Sequence, residues 1–167
     1  MTTLTTPDFT TVFDKTISIC HTDENYVQYS VREKMLAFIF TFLQTISKQD
    51  SDFVAIIQRN KYPWQQHGIQ NLKSDFKKFT EDLIFEGTNS GEIQARPFIA
   101  NYYQNILWNA FWTILLFWSN DKSNYKENTD VMVEKTIHFS FDLLAPSAID
   151  SGFDLLQNLY KLRTSKK

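Results

Sequence analysis

Cys20 and His21 stand side by side, the one pairing in the chain that suggests a reactive thiol. A thiol becomes a nucleophile when a nearby base or cation lowers its pKa and solvent can reach it. Cys20 instead continues the series Phe9, Val12, Phe13 and Ile17 on one helical face, which predicts a buried structural cysteine. One cysteine cannot close an intramolecular disulfide, and no secretion signal precedes it, so a cytoplasmic location is expected. His67 and His138 lie far from His21 and from each other, without metal-ligand spacing. No phosphate loop, dinucleotide fingerprint or nucleophile elbow occurs. No catalytic residue, metal or cofactor is therefore assigned, and an enzyme is not expected.

Charge narrows the field further. The 17 Lys and Arg against 19 Asp and Glu leave a net charge of −2, with no broad positive field for nucleic acid. Lys161, Arg163, Lys166 and Lys167 form one basic cluster, read as a solvated helix end.

The elements that must position any site are helices. Four glycines and four prolines in 167 residues are too few for a sandwich of many short strands. Seven helices are predicted in a single all-α domain spanning 1–167. The first opens at Thr6-Pro7. The second starts at the capping box Ser30-Val31-Arg32-Glu33 and carries Met35, Leu36, Phe38, Ile39, Phe42, Leu43 and Ile46. A short third helix holds Phe53, Ile56 and Ile57. The fourth, near Trp64 to Thr88, turns Ile69, Leu72, Phe76, Phe79 and Leu83 inward, and its charges form a solvated face. Gly87 through Gly91 supplies its stop, Gly91 taking the left-handed position.

The fifth helix has no Asp, Glu, Lys or Arg from Pro97 to Asn120. That length could cross a bilayer. Asn101, Gln104, Asn105 and Asn109 are costly in hydrocarbon, so a central buried helix without membrane insertion is expected. Its amide-and-tryptophan side suits a protein interface or a ligand cavity. The sixth helix, near Asp130 to Leu144, confines Glu134, Lys135, His138 and Asp142 to one wedge between two apolar lobes. Met132, Phe139 and Leu143 form one lobe; Val133, Ile137, Phe141 and Leu144 form the other. One lobe can meet the chain's own core, and the second needs another surface. After Pro146, Ser147 caps a seventh helix carrying Ile149, Phe153, Leu156, Leu159 and Tyr160.

This order of elements resembles the C-terminal regulatory domain of TetR-family transcriptional regulators. The phrases that carry the likeness are Tyr29 to Phe38 opening a long helix, and Glu86-Gly87 with Ser90-Gly91-Glu92-Ile93 closing another. Leu115-Leu116-Phe117-Trp118, Thr129-Asp130, Lys135 and Phe141-Asp142-Leu143-Leu144 add to it. The resemblance implies a homodimer joined through the last two large helices as a four-helix bundle. It implies a mostly apolar cavity for a small effector, lined by the second, fourth and fifth helices. Phe38, Phe42, Phe76, Phe79, Trp108 and Trp112 are then the candidate ligand-binding aromatics, with Asn105 and Asn109 as orienting amides or as hydrogen-bonding groups across the seam. Trp108, Trp112, Leu116, Met132, Phe139 and Leu143 are the candidate interface residues. Family members begin with a helix-turn-helix module, and Met1 falls about where that module would end, so no direct DNA binding is expected from this chain alone. The fold also resembles a lipid-binding accessory protein of ubiquinone biosynthesis, which makes a stand-alone carrier of an isoprenoid or fatty acyl chain the alternative.

Overall fold

A computed structural model describes residues 8–60, 69–96 and 100–147. Among the described residues there are six α-helices and no strand: α1 (Phe9–Thr22), α2 (Val31–Ile46), α3 (Asp50–Arg59), α4 (Gln70–Ser90), α5 (Ala100–Asn120) and α6 (Glu127–Leu144). The expected seventh helix, the Thr6-Pro7 opening and the Trp64 start of the fourth helix lie outside the described residues. None of the helices among the described residues is long and apolar enough to cross a membrane.

Local chemistry sets the helix ends. Asp8 caps α1 by accepting from the Thr10 amide at 3.0 Å. The capping box at α2 forms in both directions: Ser30 Oγ accepts from the Glu33 amide at 3.2 Å, and the Ser30 amide donates to Glu33 Oε2 at 2.8 Å. Gly91 ends α4 with φ 83°, a conformation that costs glycine little. Helix α4 does not stop across Gly87 to Gly91, as the glycine pair suggested, but runs through Gly87 to Ser90. Gly87 serves close packing instead. It is buried, and a Cβ there would sit 2.8 Å from Ile93 Cδ1 and 2.9 Å from Val31 Cγ2.

Helix α6 begins at Glu127, earlier than the sequence suggested, because the α5–α6 connection is locked by side chains. Asp121 accepts from the Thr129 hydroxyl at 2.7 Å, the Thr129 amide at 2.9 Å and the Ser123 amide at 2.9 Å. These bonds, the Thr129 hydroxyl foremost, hold its pKa down at about 2. Lys126 Nζ reaches back to the Trp118 carbonyl at 2.9 Å and lies 4.8 Å from the centre of the Trp118 ring. Those contacts hold Tyr125 and Lys126 in the left-handed region, φ 49° and 58°, which non-glycine residues seldom adopt.

Helix α2 packs against α1, α4 and α6, and α5 packs against α3, α4 and α6. Where α2, α4 and α5 cross, phenylalanines fill the interior. Phe76 stacks on Phe111 with ring centroids 4.5 Å apart, and Phe38 lies 5.9 Å from each. Polar latches tie α6 to the rest. Arg32 of α2 donates to Asp142 at 2.8 Å and pairs with His138 Nδ1 at 2.9 Å. Arg96 donates to the carbonyls of Leu143 and Ala145, each at 3.0 Å, satisfying the end of α6.

The close approach at Gly87 predicts a sign for substitution there. Overpacking a tight core site costs about 1–3 kcal/mol, and valine brings little helix propensity in return. Gly87→Val is expected to lower Tm by several degrees in a calorimetric scan; an unchanged Tm would show that the α4–α2 contact is looser than described.

Candidate functional site: a cleft and an uncharged helix face

Two surfaces of the described residues stand out once the core is filled. The first is a cleft of about 710 Å³ between α1, the 3-10 turn at Tyr26–Gln28 and α4. Its size lies within the usual range for small-molecule sites, roughly 300–1,000 Å³. Phe13 and Ile17 of α1 and Phe79 and Leu83 of α4 line its apolar part, because helical spacing places each pair on one face. Carboxylates surround them: Asp14 and Asp23 on one side, Asp75, Asp82 and Glu86 on the other.

The charges of the cleft divide into paired and unpaired groups. Lys34 of α2, nearly buried, forms an ion pair with Glu86, and its Nζ lies 5.9 Å from the centre of the Tyr26 ring. Lys78 lies 3.9 Å from Asp75 and is mostly exposed. Asp23 accepts from the Tyr29 hydroxyl at 2.7 Å and the Asn25 amide at 2.9 Å, which lower its pKa in that order. Asp14 and Asp82 have no ion pair or hydrogen bond among the described residues.

Tyr26 is the unusual wall residue. It is 5% exposed, its ring lies 5.3 Å from that of His21, and its hydroxyl has no hydrogen-bond partner among the described residues. Burial, helped by the charges of Cys20 and Glu86, pushes its pKa up to about 12. Cys20 itself is buried, and burial raises its thiol pKa.

The second surface is the outer side of α5 and α6, which pack together. On α5 the strip away from the core is Tyr102, Ile106, Asn109, Thr113 and Phe117, an exposed or half-buried face without one charge. On α6, Val133, Ile137, Phe141 and Leu144 are buried, so the other lobe faces outward. Phe139 is 64% exposed and Leu143 50%, while Met132 is half-buried. His138 is exposed in the charged wedge.

The residues singled out from sequence divide among these places. Phe38, Phe42, Phe76 and Trp108 are buried and pack on one another or on Phe111. Trp112 is buried beside Trp108 with ring centroids 5.8 Å apart, and its indole N–H lacks a partner among the described residues. Phe79, half-buried, also lines the cleft and packs 4.6 Å from Phe38. Asn109 is exposed on the outer strip of α5, and Asn105 and Leu116 are half-buried along its edge. Of the six interface candidates, Phe139 and Leu143 are exposed, Leu116 and Met132 half-buried, and Trp108 and Trp112 lie inside the protomer.

The cleft residues Asp14, Tyr26 and Asp82 were missed. A signal existed: Asp75, Lys78, Asp82 and Glu86 recur every three or four residues along the border of the Phe79–Leu83 face. A charged stripe at that spacing also describes an ordinary wet helix side. No group of metal-ligating side chains occurs among the described residues.

Residues 34–159, well over half of the chain, match the family described as tetracyclin repressor-like, C-terminal domain. The chain belongs to that family. Its all-α fold is that of a TetR-like C-terminal regulatory domain, in agreement with the resemblance read from the sequence. No curated protein and no solved structure gives a significant match.

Tyr26 sets a pH dependence. Above pH 10 its proton is lost from the unfolded chain but kept by the folded one until about pH 12. The folded state then binds more protons, so stability falls as pH rises through that window. Tyr26→Phe is expected to flatten this alkaline fall and to keep or raise Tm at pH 7, since it removes a buried hydroxyl without a partner among the described residues. A Tm several degrees lower at pH 7 would mean that the hydroxyl has a partner in solution.

Proposed function

We propose that this TetR-like domain is the effector-sensing and dimerisation module of a transcriptional regulator, acting as a homodimer. The observation that carries the reading is the outer strip of α5, about four turns of helix facing outward without a charge, together with the exposed Phe139 and Leu143 of α6. A face of that kind is costly to leave in water and suits a second copy of itself in a two-fold arrangement. In this reading Leu116, Met132, Phe139 and Leu143 meet across the seam, and Asn105 and Asn109 hydrogen-bond there. Trp108 and Trp112 stiffen α5 from behind.

The effector enters the α1–α4 cleft. Phe79 touches it directly, Phe38 and Phe76 pack behind Phe79, and Phe42 supports Phe38 from deeper in the core. An effector contributes only its differential affinity for two arrangements of the helices. Displacement of α4 would reach α5 through the Phe76–Phe111 stack and alter how two protomers meet. In a regulator that carries a DNA reader, such a change would move two readers out of register with successive major grooves.

Phe139→Glu places a charge in the proposed seam without disturbing the core. Sedimentation of the parent chain at micromolar concentration is expected to show a dimer, and the variant a monomer or a dimer at least tenfold weaker. A monomeric parent, or a variant that dimerises as well, would remove the seam from α6.

A further inference from the structure

The cleft has a preference of charge as well as of shape. Five carboxylates line it against two ammonium groups. Lys34 is occupied by Glu86, and Lys78 stands 75% exposed at 3.9 Å from Asp75. Asp14 of α1 and Asp82 of α4 are left unpaired among the described residues, contributed by two different helices to one apolar floor. A concave surface with an excess of one sign focuses the field within it and concentrates the opposite ion. Tyr26 adds an independent sign: a 5%-exposed residue of the cleft wall whose hydroxyl has no partner among the described residues. Phe13 and Phe79 offer the cleft aromatic rings that attract cations.

We propose that the cleft takes an organic cation: an ammonium group held by Asp14 and Asp82, joined to an apolar body that lies on Phe13, Ile17, Phe79 and Leu83. This rests on the effector-sensing reading of the cleft and gives that effector its chemical class. A fatty carboxylate of the same length brings a further negative charge to the carboxylates and is disfavoured.

Titration calorimetry of the full chain with decylammonium, decanol and decanoate, each below its aggregation limit, separates charge from apolar burial. Decylammonium is expected to bind at least tenfold more tightly than decanol, with decanoate weakest. Its affinity should fall as salt is raised. The double variant Asp14→Asn, Asp82→Asn, exposed on both helices, is expected to weaken decylammonium at least fivefold, with decanol binding and Tm unchanged. Ile17→Trp, which fills the cleft from its half-buried floor, should weaken decylammonium and decanol alike. Decanol or decanoate binding as tightly as decylammonium, with Ile17→Trp still weakening it, overturns the cation and leaves the cleft as an effector site. Binding of all three ligands untouched by Ile17→Trp, or no binding by any, overturns both. A double variant that binds decylammonium like the parent overturns the assignment to Asp14 and Asp82.

Discussion

Phe76 of α4 lies flat on Phe111 of α5, their planes 2° from parallel, and Phe38 of α2 packs against both. Offset-stacked and tilted rings at these separations add roughly 0.5–1.5 kcal/mol per pair beyond the apolar area they bury. More important is what the contact excludes. An interior packed at crystal-like density has no room for a ligand at the point where three helices cross. The neighbouring aromatics Phe42 and Trp108 close the same space from α2 and α5. Ligand chemistry is thereby moved to the edge of the cluster, where Phe79 is both a core ring and a wall of the cleft.

Helix α4 is consequently shared between three environments. Its Asp75, Asp82 and Glu86 border the cleft, its Phe76 holds the stack, and its Gly87 lets Ile93 and Val31 approach closely. Polar contacts at the helix ends complete the frame. Lys34 with Glu86 joins α2 to α4, Arg32 with Asp142 joins α2 to α6, and Arg96 closes the carboxyl end of α6. An exposed ion pair such as Arg32 with Asp142 contributes little stability, so that latch fixes orientation more than it adds stability. Among the described residues helix α1 packs mainly against α2 and α4, meets α3 through Phe9 and Phe53, and has the cleft along its border. On the proposed reading that makes α1 and α4 the pair an effector spreads or draws together.

Local signals were the legible part of the sequence. Ser30 with Glu33 forms the capping box that its spacing requires, and Gly91 takes the left-handed position that stops α4. The two lobes of α6 were visible because a helix has one periodicity, and its buried and exposed lobes emerged as separate stripes. The aromatics were harder. A phenylalanine facing a cavity and one facing another phenylalanine sit at the same helical spacing, so Phe38, Phe42 and Phe76 carry no mark that tells the two apart. Gly87 resembled a stop because its neighbour across space, Ile93, is reached only through the fold. The early start of α6 depends on Asp121 gripping Thr129 eight residues on, a contact no helix rule anticipates.

The outer strip of α5 is the feature on which the functional reading stands. Thr113 lies near its middle and is exposed, while Cys20, the one natural cysteine, is buried. A spin label on Thr113→Cys, in a chain with Cys20→Ala, measures directly whether two such strips face each other. Pulsed dipolar spectroscopy is predicted to give one narrow inter-label distance, lost on tenfold dilution with unlabelled chain. The absence of any defined distance at concentrations where the protein is intact would contradict pairing through α5.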